Sequence, residues 1–366
     1  MSRAMYGAGD VLVQAGHQID YWFSECLQSR APAGLRRFTT PLKIAALVRQ
    51  SQRQGQHYDV VEIHEPIAAA YCFLRRSRKT LPPVAIFSHG LEERGHRAEL
   101  EYRRQKGMPV SLKKRYSPMS VILQAMYAVR HSHQVICTNS VDLAHLAGAG
   151  VPEKRLSLVH NGIEESLLAA GASSPGGSGQ RSGLLFVGSW LMRKGILDLI
   201  PAVSSVLRRH PGLVFTVAGS GSDAASVTKD FPEDVGSQIN VIPKFSGNET
   251  LIDLYRRHSM FVLPSYFEGQ PLVMIEAAAF GMAIVTTDVC GMLDFIEDGC
   301  NGLLVKPGDV ATLEKCLEKL VGDRKLTQRL GEEAQKTAER HTWADTAKNL
   351  IQAYERAIGS SRYADA

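Results

Sequence analysis

The amino-acid sequence predicts an α/β protein made of two doubly wound, Rossmann-like domains. Short, continuously apolar segments alternate with helical patterns, which is typical of parallel strands covered by helices on both faces. This alternation occurs twice and is interrupted by a stretch rich in glycine and serine at residues 169–183. The length of 366 residues also exceeds what one hydrophobic core usually accommodates.

Eleven segments have the short apolar pattern of buried strands. In the first half of the chain they are residues 18–23, 60–64, 84–89, 134–138 and 156–160. In the second half they are residues 184–189, 214–221, 239–243, 260–265, 283–288 and 302–305. Helical patterns lie between them, at 118–131, 196–209, 249–258, 271–281 and 310–358.

These elements divide the chain into four parts. Residues 1–168 form the first domain, in which the first strand is missing, 169–183 a linker, and 184–340 the second domain. The last part, 341–366, has apolar residues at helical spacing from Trp343 to Ile358. We expect it to form a helix that crosses back to the first domain.

The composition is that of an ordinary globular protein, with 44% hydrophobic and 22% charged residues. No apolar run has the length of a membrane span or of a signal peptide. The six cysteines are scattered without a CxxC pair, which indicates reduced thiols rather than a disulfide framework or a zinc site. We therefore expect a cytoplasmic protein, with no metal ion.

Positive charge is concentrated in residues 94–115, which carry eight basic and two acidic side chains. One interpretation is a solvated helix or loop surface. The other is a surface for anionic lipid headgroups or an anionic acceptor, which would place the protein peripherally at a membrane. Nucleic acid is disfavoured, because no aromatic-interleaved or helix-turn-helix pattern accompanies the charge.

Two glutamates flank an apolar segment in "SYFEGQPLVMIEAAAFG" at residues 265–281. Glu268 follows a predicted strand, and Glu276 lies about a turn and a half into the next helix. Between them the start of the helix offers backbone amides to an anion, from Gly269, Gln270, Leu272 and Val273. Pro271, which has no N–H, suits the first turn of the helix. A nucleotide sugar fits this pattern, with Glu276 on the ribose and Glu268 on the sugar. An ordinary ion pair is the alternative.

Two further strand ends suit the same ligand. In "FVGSWLMRKG" at 186–195, Arg193 and Lys194 precede a helix, where cations neutralise a diphosphate leaving group. In "VAGSGSD" at 217–223, small residues around Gly219 let a base or ribose approach the backbone.

These motifs resemble those of the GT-B-fold, retaining glycosyltransferases of family 4, also called glycosyl transferases group 1. The resemblance runs from about residue 10 to 358 and is most specific in residues 263–309, which follow the E-x7-E signature of the family. "VGSWLMRKG" is similar to its phosphate loop, "VHNGIE" at 159–164 to the end of its first domain, and "FSHGLE" at 87–92 to a loop whose histidine reaches the reacting sugar.

The resemblance implies a fold, a reaction and residue roles. The fold is GT-B, with two Rossmann-like domains facing a central cleft. Residues 1–168 would be the acceptor-side domain and 184–340 the domain that binds the nucleotide-sugar donor. Lys194, assisted by Arg193, would bind the diphosphate of a UDP- or GDP-sugar, and Glu276 the ribose. Glu268 would hold and position the donor sugar, and His89 would hydrogen-bond a hydroxyl near the anomeric carbon. The acceptor would be a glycan or a lipid-linked sugar in polysaccharide, lipopolysaccharide or glycolipid biosynthesis, and no cofactor would be tightly bound.

The chain departs from the family pattern at two places. Ser189 stands where the family usually has an arginine, and Arg193 starts four residues later. The chain also begins in what would be the first helix, without the strand and Gly-rich loop that normally precede it. We therefore expect the true protein to begin upstream of Met1, by about 15–25 residues, the length of a strand and a loop.

Two other functions are open at this stage. The chain could be a non-catalytic or truncated member that acts as a partner subunit, which the missing strand favours and the intact His89, Lys194, Glu268 and Glu276 disfavour. A nucleotide-sugar epimerase with the same fold is another possibility, but it would not explain the basic segment. Transfer or hydrolysis of a nucleotide sugar separates an enzyme from a partner subunit.

Overall fold

The computed structural model describes residues 2–23, 26–27, 33–173, 181–245 and 247–365. The chain divides into two compact units, residues 1–160 together with 344–366, and residues 161–343. Within the described residues each unit consists of one parallel β-sheet and its helices.

The strands are short and mostly buried. They are β1 (Val61–His64), β2 (Val84–Ser88), β3 (Gln134–Cys137), β4 (Leu156–Leu158), β5 (Leu184–Val187), β6 (Phe215–Ala218), β7 (Ile239–Ile242), β8 (Met260–Leu263), β9 (Ala283–Thr287) and β10 (Leu303–Val305). Each of them falls within a segment that the apolar pattern predicts.

Helices connect and cover these strands. They are α1 (Ser2–Gln14), α2 (Ala33–Arg53), α3 (Ala69–Ser77), α4 (Glu92–Gln105), α5 (Leu112–Tyr116), α6 (Met119–His131), α7 (Ser140–Gly148), α8 (Glu165–Ala172), α9 (Ile196–Arg209), α10 (Ala224–Lys229), α11 (Asn248–Arg257), α12 (Leu272–Ala279), α13 (Val310–Gly322), α14 (Arg324–Ala338) and α15 (Trp343–Asp365). Within the described residues, none of the helices is long and apolar enough to cross a membrane.

Strand order determines where a ligand can bind in each sheet. The first sheet has the order β1-β2-β3-β4, and the second has the order β10-β9-β8-β5-β6-β7. In the second sheet the chain leaves β5 toward β6 on one side and later returns to β8 on the other. The carboxyl ends of β5 and β8 therefore form a topological switch point, where open α/β sheets bind their ligands.

The predicted strand at residues 18–23 is wrong. These residues are described and form no β-ladder, because a strand needs a neighbouring backbone to pair with, and the described residues place none beside them. The aromatic side chains that suggested a strand pack together instead. The ring of Tyr6 in α1 lies 5.3 Å from that of Tyr21 and 5.3 Å from that of Phe23.

The predicted linker starts too early. Residues 169–172 continue helix α8, residues 174–180 lie outside the described residues, and residues 181–183 have no regular structure. The sequence "AAGA" suggested a linker because it contains glycine, but alanine is a strong helix former. The glycine allows a close approach, since a Cβ atom on Gly171 would lie 2.1 Å from the carbonyl oxygen of Ala279 in α12.

The close approach at Gly171 predicts that its substitution by alanine is destabilising. The new methyl group would force α8 and α12 apart, at a cost of about 1–3 kcal/mol of unfolding free energy. Gly148, in α7, is a matched control, because a Cβ atom there meets nothing within 4 Å. Chemical denaturation should show Gly171→Ala destabilised and Gly148→Ala unchanged or stabilised. Equal effects of the two substitutions would contradict the packing argument.

Candidate active site

The loop after β5 is held in a defined shape against the loop after β8. Residues Met192–Lys194 form one turn of 3-10 helix, and Gly195 follows with φ of +74°. A Cβ atom on Gly195 would lie 1.9 Å from the carbonyl oxygen of Pro264, so glycine is required there. The backbone N–H of Tyr266 donates to the carbonyl of Arg193 at 2.9 Å. The two loops at the switch point are thus joined through their backbones.

This loop conformation places two cationic side chains beside one carboxylate. Oε1 of Glu268 lies 2.6 Å from Nζ of Lys194 and 3.1 Å from a guanidinium nitrogen of Arg193. The Ser265 hydroxyl donates to the same oxygen at 3.1 Å. The Lys194 and Glu268 side chains are only 10% and 12% exposed, so their attraction is screened less than that of a surface pair.

Helix α12 begins at the same edge of the sheet. The first residue of this helix is Leu272, and Pro271 is its N-cap. The sequence predicts Pro271 one position later, in the first turn of the helix. Glu276 is buried, and its Oε2 accepts a hydrogen bond from the Tyr255 hydroxyl at 2.9 Å. A buried carboxylate with a fixed donor is held in one orientation.

Gln270 has a partner that the sequence does not reveal. Its side-chain oxygen accepts from the backbone N–H of Asn161 at 2.5 Å, and its backbone carbonyl accepts from the Asn161 side chain at 3.0 Å. The side-chain oxygen and the backbone carbonyl of Gln270 therefore both tie the loop before α12 to the turn at Asn161 and Gly162. Gly291 packs closely against Gly269, since a Cβ atom on Gly291 would lie 2.0 Å from the carbonyl oxygen of Gly269.

Gly219 and Ser189 complete the predicted set in this unit. Gly219 lies directly after β6, and its N–H donates to the carbonyl of Ile242 at 2.8 Å. Ser189 lies two residues after the end of β5 and is exposed. The predicted residues of this unit thus lie in the loops after β5, β6 and β8 and in the first half of α12, which follows β8.

The remaining predicted residue, His89, lies in the other unit, just after β2. Its Nε2 is 2.7 Å from Nδ1 of His64, the last residue of β1, and the two rings are stacked with centroids 4.9 Å apart. Burial, with a smaller contribution from His64, lowers the pKa of His89 to about 3. His89 is therefore a neutral imidazole at physiological pH.

The end of β1 carries three ionisable residues that the sequence reasoning missed, namely Glu62, His64 and Glu65. Burial raises the pKa of Glu65 to about 7, although the Ser88 side chain hydrogen-bonds it. The visible signal was "EIHE" at residues 62–65, which follows an apolar pair at a predicted strand end. Among the described residues, no cluster of three His, Cys, Asp or Glu side chains is placed to hold a metal ion.

Two family models match the chain, one in each half. The model "Glycosyltransferase Family 4" matches residues 3–167, and the model "Glycosyl transferases group 1" matches residues 176–337. The chain belongs to this family of GT-B glycosyltransferases. The family identity confirms the resemblance that the sequence motifs indicate, and the two parallel sheets agree with the expected fold.

Known relatives are similar over different parts of the chain. A D-inositol 3-phosphate glycosyltransferase from Nocardia farcinica is 28% identical over 86% of the chain and 70% of its own length. A glycogen synthase from Mycobacterium tuberculosis is 30% identical over 62% of the chain and 55% of its own length.

Solved structures show the same fold. The sucrose-phosphate synthase of Thermosynechococcus elongatus has a TM-score of 0.73 at 19% identity, covering 96% of this chain and 92% of its own. Anabaena HepE, solved in complex with UDP, has a TM-score of 0.63 at 15% identity, covering 85% of this chain and 82% of its own.

The raised pKa of Glu65 predicts a pH dependence of stability. Between pH 4.5, its ordinary pKa, and about 7, the folded state binds the proton that the unfolded state has lost. Stability from this group is therefore present at low pH and is lost as the pH rises through 7, by about 2–3 kcal/mol between pH 5 and 8. The variant Glu65→Gln does not titrate. Chemical denaturation at pH 5 and at pH 8 gives the free energy of unfolding of both proteins. Relative to the wild-type protein, the variant should be more stable at pH 8 than at pH 5. An equal difference at the two pH values would contradict the assignment.

Proposed function

We propose that the protein transfers a sugar from a nucleotide-diphosphate sugar to a glycan or a lipid-linked acceptor, with retention of configuration. The observation that carries the proposal is the cluster of Lys194, Arg193 and Glu268 at the switch point of the second sheet. Two cations beside a helix N-terminus suit a diphosphate, and carboxylates on either side suit hydroxyl groups. Family membership supports the same reaction class.

The proposed chemistry is electrostatic. When the bond between the sugar and the diphosphate breaks, negative charge grows on the leaving group, and Lys194 and Arg193 stabilise it there. Glu276 binds the ribose hydroxyls, and Glu268 holds the donor sugar. The salt bridges of Glu268 support this role, because they fix its carboxylate beside the cations that face the phosphates.

UDP or GDP is the proposed nucleotide. HepE and the glycosyltransferase TarM of S. aureus were solved with UDP, and the starch synthase IV of Arabidopsis thaliana with ADP, which supports a nucleotide site in this fold. The acceptor is proposed from chemistry alone, as a sugar of a polysaccharide, lipopolysaccharide or glycolipid under synthesis. The relatives that share the family act on different acceptors by their names, an inositol phosphate and a glycogen chain.

Replacing Lys194 by alanine tests the proposal. Turnover of the donor found in a panel of UDP- and GDP-sugars should fall on the order of a hundredfold, because a preorganised charge at the leaving group is lost. The affinity for UMP or GMP should fall much less, since these ligands carry no diphosphate. Steady-state kinetics and calorimetry give the two values.

Two further variants make this test specific. Lys194→Arg keeps the charge and should retain more activity, and Lys229→Ala removes an exposed lysine at the end of α10 and should change neither value. If nucleotide affinity and turnover fell equally in Lys194→Ala, Lys194 would be a uniform binder. If no nucleotide sugar were turned over by the wild-type protein, the proposed reaction would be wrong.

We also propose that the basic segment 94–115 binds an anionic membrane surface. Its basic residues lie on α4, α5 and the loop between them, and some are paired, as Lys114 is with Glu99 at 2.7 Å. Exposed apolar side chains adjoin them along the chain, with Leu112 73% and Tyr116 57% exposed. Basic and apolar groups together suit the boundary between lipid headgroups and acyl chains.

Liposome binding tests the membrane proposal. The protein should bind vesicles that contain phosphatidylserine better than neutral vesicles, and added salt should weaken binding because it screens the attraction. Leu112→Asp should reduce binding at every salt concentration, whereas Val214→Asp, at another exposed apolar position in the other unit, should not. Binding that ignores lipid charge, or an equal loss in both variants, would leave the segment as a solvated surface.

A further inference from the structure

His89 is one end of a partly buried series of polar contacts in the first unit. The Tyr354 hydroxyl, on α15, donates to Oε2 of Glu62 at 2.7 Å. Oε1 of Glu62 lies 3.1 Å from Nε2 of His64, and Nδ1 of His64 lies 2.7 Å from Nε2 of His89. Tyrosine, carboxylate and two imidazoles are thus connected across β1, the end of β2 and the last helix.

The strands dictate this arrangement. Glu62 and His64 are two residues apart on β1, so their side chains leave the same face of the sheet. The opposite face of β1 is occupied by the buried Val61 and Ile63. His64 pairs in register with Phe87, and His89 follows two residues later, which brings the two imidazoles together at the carboxyl edge.

The contact between Glu62 and His64 is electrostatic rather than a well-directed hydrogen bond. The distance of 3.1 Å is short, but Nε2 of His64 makes no directed hydrogen bond. Burial alone would raise the pKa of Glu62, yet the contacts with His64 and Tyr354 outweigh it and lower that pKa. Glu62 is therefore a carboxylate at neutral pH, and it favours a proton on the facing Nε2 of His64.

The position of that proton determines the protons of His89. If His64 carries a single proton, on Nε2, its Nδ1 has a bare lone pair, which can only accept. His89 must then donate from its Nε2, because the two nitrogens are 2.7 Å apart. A neutral His89 with its proton on Nε2 has an unprotonated Nδ1. That nitrogen can accept a hydrogen bond from a hydroxyl group and cannot donate one.

We propose that His64, held by Glu62 and Tyr354, is a positioning residue that fixes His89 in the tautomer whose Nδ1 accepts a hydrogen bond from a sugar hydroxyl. The inference rests on the proposed function, since it assigns the direction of the hydrogen bond that His89 makes to the donor sugar. His64 touches no substrate in this assignment. It acts through His89 alone.

The tautomer itself can be measured without any activity. Nitrogen NMR of protein with 15N-labelled histidine distinguishes protonated from unprotonated ring nitrogens, and loss of a signal in His89→Gln assigns the residue. In the wild-type protein, His89 should show one protonated Nε2 and one unprotonated Nδ1. In His64→Phe, which keeps a ring but no nitrogen, the two signals of His89 should move toward averaged values. An unchanged His89 spectrum in that variant would overturn the proposal.

Kinetics with the donor found in the panel of UDP- and GDP-sugars supply the second measurement. His64→Phe should lower kcat on the order of tenfold and leave the donor KM nearly unchanged, because the residues proposed to bind the nucleotide lie in the other unit. His64→Asn, which keeps a polar atom near the position of Nδ1, should recover part of kcat.

A double variant separates positioning from a structural role. In a His89→Ala background, His64→Phe should cause no further loss of kcat, because it acts only through His89. Additive losses, or a kcat that is unchanged in His64→Phe, would overturn the proposal. Failure of the proposed function can be told apart from failure of the coupling between the two histidines. If the protein turns over no nucleotide sugar but the His89 spectrum still depends on His64, the proposed function is refuted and the coupling stands.

Discussion

The pairing of two cations with one oxygen of Glu268 is the interaction on which the candidate site depends. A pair that is only 10% and 12% exposed has lost most of its hydration, and such a loss often outweighs the attraction between the charges. Apolar residues would fill the same space at less cost to stability. The pair is therefore better explained by a ligand that needs these charges than by the stability of the fold, and its place at the switch point agrees with that explanation.

In both units the residues predicted for the site occur after apolar strands. Within β5 and β8 the strand residues are apolar and buried, and Lys194 and Glu268 occur in the loops that follow. In the first unit the polar contacts begin inside a strand, because Glu62 lies within β1. Its Oε2 accepts a hydrogen bond from the Tyr354 hydroxyl, on α15, at 2.7 Å. The C-terminal helix thus supports the surroundings of His89, far from it in the sequence.

Apolar patterning could predict the strands, and pairing between distant residues could not be predicted from it. Continuous apolar runs are forced by burial on both faces of a parallel sheet, so each described strand falls within a predicted segment. Residues 18–23 failed because a strand also needs a neighbour, which local sequence does not show. The contact of His64 with His89 was missed for a similar reason, since register between two strands places them together across 25 residues of chain.

Arg193 offers a physical explanation for the absence of the family arginine at position 189, where this chain has a serine. A family arginine directly after the first glycine of the phosphate loop would add a charge at that point, and this chain has a serine there. Arg193 starts four residues later, but the 3-10 turn of Met192–Lys194 directs it back, so that its guanidinium lies 3.1 Å from the carboxylate that Lys194 contacts. The side chain is half exposed, whereas that of Lys194 is nearly buried. Arg193 can therefore move at small cost, while Lys194 stays fixed, and the loop keeps two positive charges although their positions in the sequence differ from the family pattern.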